Sequence, residues 1–304
     1  MYIDSHCHLD RLDLSKHDNS LSNILDDARG RGVHKMLCVG IDLNLYPGML
    51  EVIADQKDVY ASVGVHPCHV VESPWDEAFV RQAVASNDRV VALGETGLDF
   101  YYTADTKEQQ VESFANHLQL GSELDLPVII HTRDAREETL RVMAEHSDPN
   151  SAGVMHCFTE THEMAMRSIE MGFMVSFSGI ITFKNAADLR EVVKAVPMES
   201  LLIETDSPYL APIPYRGKPN QPGYVAEVAA CVAELKGISV EEVAERTADN
   251  FHRLLSAPGR VWCRRVVRKA YYPTLLTTLC REIALHATSL LQKFQQRIHP
   301  IPRR

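Results

Sequence analysis

Short apolar runs alternate with longer stretches of helical periodicity along most of the chain. The runs fall at residues 2–4, 35–39, 59–63, 90–94, 128–130, 153–155, 173–177 and 201–205. Several are almost continuously apolar, as strands of a parallel sheet buried on both faces must be. Between them, stretches such as 107–124 and 160–171 repeat their apolar residues every three or four positions and turn their charges the other way. Eight such units in about 250 residues predict an α/β protein, a (β/α)₈ TIM barrel. An open doubly wound sheet is the alternative, but no GxGxxG loop follows the first run.

The pattern changes at Pro258-Gly259. The first 256 residues carry 40 acidic against 21 basic side chains, whereas the last 48 carry ten basic and one acidic, Glu282. We therefore read residues 1–257 as the barrel and 258–304 as a basic C-terminal extension. There Leu275, Leu279, Ile283, Ala287, Leu290 and Phe294 trace an amphipathic helical stripe. No apolar run is long enough for a membrane span. The residues Met1 to His6 lack the basic and apolar regions of a secretory signal, so the expected location is the cytoplasm. Seven cysteines, with no CxxC pair, are read as reduced thiols. A net charge of −10 argues against nonspecific coating of nucleic acid. It leaves room for a local phosphate site built on cations.

Chemistry gathers at the ends of the apolar runs. His6 and His8 follow the first run, and side chains two apart on an extended strand face the same way. Glu95 ends the fourth run, His131 the fifth, His156 the sixth and Asp206 the eighth. Each alone is compatible with a hydrogen-bonded polar group. Together they are hard to explain by stability, because such groups at one rim are costly unless paired or coordinated. The C-terminal rim is also where barrels assemble catalysis. This points to a metal centre, since imidazoles and carboxylates suit borderline divalent ions.

Five motifs carry a resemblance: Asp4-Ser5-His6-Cys7-His8-Leu9-Asp10, Gly94-Glu95-Thr96-Gly97-Leu98-Asp99, His131-Thr132-Arg133, His156-Cys157-Phe158 and Glu204-Thr205-Asp206-Ser207-Pro208. In this order they closely resemble the TatD-type metal-dependent deoxyribonucleases of the amidohydrolase superfamily, in particular the bacterial YcfH-type branch. The likeness covers roughly residues 1–256. It implies two divalent ions (Mg, Mn or Zn), one held by His6, His8 and Asp206, the other by His131 and His156, with Glu95 bridging. It also implies that Asp206 takes a proton from the attacking water. Tyr215 departs from the pattern, standing where such sequences often carry His before Arg-Gly-Lys.

Two ions set close together can polarise a phosphoryl oxygen and lower the pKa of a water. Glu204, two residues before Asp206, is read either as a carboxylate orienting a ligand His or as half of a buried ion pair. His66 is a candidate for phosphate or water contact, or a structural loop histidine. Arg133 suits a phosphate through its planar donor fork, or pairs with Asp134. Arg216 and Lys218, in a loop after the last strand, are further phosphate handles or solvated charges. Tyr101 and Tyr102 are placed to stack a base or to pack locally.

The expected function is a deoxyribonuclease, an exonuclease trimming single-stranded DNA ends in the 3′→5′ direction, with no obligate protein partner. An amide or ester hydrolase, such as a D-aminoacyl-tRNA deacylase, is the alternative within the same chemistry. A non-catalytic, metal-stabilised binding protein is the alternative outside it.

Overall fold

All eight apolar runs form strands, and they pair in chain order. The structure, a computed structural model, describes residues 1–150 and 152–255. Its strands are β1 (Tyr2–Cys7), β2 (Val33–Cys38), β3 (Val59–Val63), β4 (Val90–Asp99), β5 (Val128–Arg133), β6 (Gly153–Met155), β7 (Met174–Phe177) and β8 (Leu201–Ile203). Every neighbouring pair is parallel. Between and after them lie α1 (Leu21–Gly30), α2 (Tyr46–Val52), α3 (Glu77–Ser86), α4 (Lys107–Leu124), α5 (Arg136–His146), α6 (His162–Glu170), α7 (Ala187–Ala195), α8 (Val225–Lys236) and α9 (Val240–Leu254). This is the TIM barrel the periodicity predicts. The amphipathic stripe of the extension lies outside the described residues. Among those described, no helix is long and apolar enough to cross a membrane.

The barrel closes where β1 meets the segment after β8. Cys7 bridges Ser207, the His8 amide donates to the Ser207 carbonyl at 2.8 Å, and the Asp206 amide donates to the His6 carbonyl at 2.9 Å. Deeper in, Asp4 accepts from the Thr205 amide at 2.9 Å and from its hydroxyl at 2.5 Å. The C-terminal ends of the first and last strands are thereby tied to each other.

Two apolar layers support the rim. One fills the barrel with Ile3, Leu37, Val91, Ile129, Val154, Met174 and Leu202, and Phe251 of α9 packs into the same cluster. The other lies between sheet and helices. Burying a side chain the size of Phe251 or Leu202 stabilises by roughly 1.5–3 kcal/mol. Several helices start at side-chain caps: Ser20, Asp76, Thr161 and Ser239 each accept from an amide of the first turn. Each cap contributes about 1 kcal/mol.

Six of the eight runs change their bounds as strands, and β4 changes most. The strand β4 runs five residues past Gly94, so Glu95 lies within a strand and not at its end. Pairing of Thr96 through Asp99 with Ile130 through Arg133 extends it. Gly97 makes this possible: its φ is +128°, and an added Cβ would stand 2.0 Å from the His131 carbonyl oxygen. The last helix begins at Val240, capped by Ser239. In β1 the register shifts between Asp4 and Cys7. Ile3 joins the barrel interior while His6, an odd number of residues later, stacks on His156 at the mouth. Strict alternation forbids that pairing, and the irregularity supplies the change of parity.

Candidate metal centre

All eight strand ends, or the segments that follow them, converge on one cavity of about 720 Å³, lined among others by His8, His66, Glu95, Asp99, His131, His156 and Asp206. Glu95 sits at its floor, 3% exposed. Its two oxygens face different partners. Oε2 lies 3.3 Å from His6 Nε2 and 3.9 Å from His8 Nε2. Oε1 lies 2.7 Å from His156 Nε2, 3.3 Å from His131 Nδ1 and 3.4 Å from His66 Nε2. Asp206 Oδ1 closes the first side, 3.5 Å from His8 Nε2 and 3.7 Å from His6 Nε2. Three overlapping trios have donor atoms within 4.8 Å of one another: His6 with His156 and Asp206, His6 with His8 and Glu95, and His66 with Glu95 and His131. Because they share His6 and Glu95, they are one continuous cluster.

Each imidazole's outer hydrogen bond decides what its inner nitrogen offers. His8 Nδ1 faces the Val39 carbonyl at 3.1 Å, which can only accept, so that nitrogen carries the proton and Nε2 offers a lone pair. His156 Nδ1 lies 3.3 Å from Glu204 Oε1, again leaving Nε2 with the lone pair. His131 is reversed: Nε2 lies 3.2 Å from Asp99 Oδ2, and Nδ1 turns to Glu95. His66 differs in kind. Its Nδ1 accepts from the Cys68 amide at 3.1 Å, so its inner Nε2 carries a proton and donates. Its place in a trio is therefore not that of a ligand but of a hydrogen-bond donor.

The fit to a cation can be tested on the same atoms. His6 Nε2 and His8 Nε2 stand 3.3 Å apart, and among the described residues the buried His6 Nδ1, His156 Nε2 and Glu204 Oε2 have no hydrogen-bond partner. Lone pairs aimed at one another without donors between them suit a positive ion. The electrostatics agree. Burial would push the Glu95 carboxyl up, yet His156, His66 and His131 hold it well below the usual carboxylate range. Burial likewise opposes the Asp206 carboxylate, and the nearby His8 and His6 bring it down. His8, His131 and His156 are pushed up against burial by Asp206, Asp99 with Glu95, and Glu95 with Glu204 respectively. The cavity stabilises positive charge. These residues fit divalent metal. One of them, Asp206, sits on strained backbone with φ +55°, and Cys157, next to His156, has φ +42°.

The candidate substrate contacts separate. His66 and Arg133 line the cavity. Among the described residues Arg133 forms no ion pair with Asp134, and its guanidinium instead lies over Tyr101 and Tyr102, 4.2 and 4.5 Å from the ring centroids. Arg216 and Lys218 do not line it. Arg216 packs 3.6 Å over Phe183, and Lys218 borders a smaller cavity beside Tyr224. Tyr215 stacks on Tyr224 at 3.8 Å and bonds Arg31 through its hydroxyl at 3.2 Å, which anchors this loop. Sequence reasoning missed Arg11 on the cavity wall. It also gave no role to Asp99, although Asp99 closes a quoted motif.

A parallel barrel with a buried His and carboxylate cluster at its rim defines the class of metal-dependent hydrolases. The chain belongs to the TatD-related DNase family, whose model matches residues 3–256. It is 49% identical over 252 residues to the uncharacterized metal-dependent hydrolase YcfH of Escherichia coli K12, covering 83% of this chain and 94% of that protein. It is 38% identical over 254 residues to the uncharacterized metal-dependent hydrolase YabD of Bacillus subtilis, covering 84% and 98%. The crystal structure of the TatD homologue YjjV from E. coli K12 superposes with a TM-score of 0.77 at 29% identity, covering 84% and 98%. A TatD family protein from Entamoeba histolytica shares the fold, with a TM-score of 0.73 at 22% identity over 83% of this chain and 97% of that one.

Proposed function

We propose that this metal-dependent hydrolase is a two-metal phosphodiesterase that trims DNA from unpaired ends in the 3′→5′ direction. The observation that carries the reading is the division at Glu95: Oε2 toward His6 and His8, Oε1 toward His131 and His156. Such a site would hold one ion through His6, His8 and Asp206 and another through His131 and His156, with Glu95 available to both. A cluster rich in imidazole suits Zn or Mn better than Mg. Such a pair of ions supplies Lewis-acid activation of the phosphoryl group and a nucleophile at neutral pH.

The chain's own residues do the rest. Asp206, held below the usual carboxylate range beside His8 and His6, is ionised at neutral pH and accepts the proton of the attacking water. His66 Nε2–H donates to an oxygen of the phosphoryl group. Glu204 and Asp99 fix the rings of His156 and His131. Arg133 at the mouth meets the negative charge of the strand. The test is to give metal-loaded protein labelled single-stranded DNA, a simple carboxylic ester and D-aminoacyl-tRNA side by side. Shortened DNA with the other two intact supports the reading. Cleavage of the ester or the aminoacyl bond alone overturns it.

A further inference from the structure

The mouth of the cavity carries a second built feature, behind His131. Asp99 Oδ1 accepts from the amides of Tyr101 and Tyr102, at 2.9 and 2.8 Å, while its Oδ2 lies 3.2 Å from His131 Nε2. The Phe100 amide donates to the Arg133 carbonyl at 2.9 Å. One carboxylate thus sets the tyrosine turn in a fixed relation to a candidate metal ligand.

The two rings meet edge to face, 4.9 Å apart at 85°, and Arg133 lies over both. Stacking occupies the guanidinium's flat side and leaves its N–H edge free for an anion. Both rings are unusually open for aromatics next to a deep cavity, Tyr101 at 59% and Tyr102 at 66% exposed. Of the two, Tyr102 lines the cavity together with Arg133. An exposed ring and a guanidinium that forms no ion pair among the described residues, side by side and rigidly tied to the site, match a base and the phosphate attached to it.

We propose that Tyr102 and Arg133 form a subsite for one unpaired nucleotide, the base stacked on Tyr102 and the phosphate on the Arg133 edge. This rests on the phosphodiesterase reading and names how its substrate is chosen. A base paired within a duplex has no free face to offer, so the subsite selects single-stranded ends.

The test compares kcat/KM of the metal-loaded full chain on two esters that release the same p-nitrophenolate. One is the p-nitrophenyl ester of thymidine 5′-phosphate and the other is methyl p-nitrophenyl phosphate. The wild type prefers the thymidine ester. Tyr102→Ala cuts that preference about 5- to 150-fold, chiefly through KM, the range for loss of one base stack. Tyr102→Phe and Tyr102→Trp keep it, because stacking needs the ring and not the hydroxyl. Arg133→Met lowers kcat/KM for both esters and leaves their ratio. A preference that survives in Tyr102→Ala, or is lost equally in Tyr102→Phe, overturns the subsite while the phosphodiesterase reading stands. Failure of the wild type to hydrolyse either ester overturns that reading, and the subsite with it.

Discussion

His156 Nε2 approaches Glu95 Oε1 to 2.7 Å, yet the two do not form an aligned hydrogen bond. A lone pair facing a carboxylate oxygen at that distance is repulsive unless a cation lies against both.

Replacing Glu95 with Gln keeps the shape and removes the charge that faces both sets of imidazoles. Metal content per chain is expected to fall and hydrolysis to vanish. Elemental analysis alongside activity checks this, and unchanged metal with full activity contradicts it. His6→Ala should lower occupancy on one side only, with the fold intact, since its neighbours there are other polar groups of the cluster.

Asp206→Asn keeps one coordinating oxygen but loses the basic one. Metal is expected to be partly retained while the single-turnover rate drops ~10²–10⁴-fold, the range for loss of a general base. A near-normal rate places the proton acceptor elsewhere. His66 is a poor substitute because its Cys68-facing Nδ1 is already accepting.

The strands and most of the cluster were legible from residue order, and the reasons are specific. The runs at residues 59–63 and 153–155 match β3 and β6 because buried parallel strands read as unbroken apolar stretches. His6 and His8 were readable as a pair because they stand two apart. The two-sided use of Glu95 was implied only by the family resemblance, not by spacing or periodicity, since it depends on four strands meeting in space. Asp99 carried no periodic signal, because its role comes from a turn that folds back on β5. Arg216 and Lys218 could be placed in the loop after β8, but not aimed. Their direction is set by Phe183 and by the anchoring of Tyr215 on Tyr224 and Arg31.

His117, buried in the middle of α4, offers a prediction in pH. Its Nε2 accepts from the Val65 amide at 3.1 Å, and its Nδ1 donates to the Ser113 carbonyl at 2.7 Å. Both nitrogens are therefore engaged in the neutral form. Burial pushes its pKa from 6.5 down to about 4. The unfolded chain then binds a proton that the folded chain refuses between those values. Stability from this group is full above pH 6.5 and is lost as pH falls toward 4. The loss is roughly 3 kcal/mol. Denaturant unfolding at pH ~7.5 and ~5 should show a smaller difference for His117→Asn than for the wild type. An equal difference assigns the pH dependence to other groups.

The basic extension gives a prediction about truncation. The metal cluster, the barrel core and the family match all lie before residue 257. A chain ending at Ser256 is expected to stay folded, bind metal and turn over short substrates. Loss of activity or solubility means that the extension completes the barrel or its site. Retained activity on short substrates, with weaker and less salt-dependent binding of long DNA, makes it an electrostatic tether.

The most direct measurement is a titration of metal-free protein with Mn²⁺, following bound metal and hydrolysis of a short single-stranded oligodeoxynucleotide in the same samples. Two ions per chain should bind, with the rate rising only as the second site fills. Full hydrolysis with a single bound ion, or intact DNA at every loading, would contradict a two-metal phosphodiesterase.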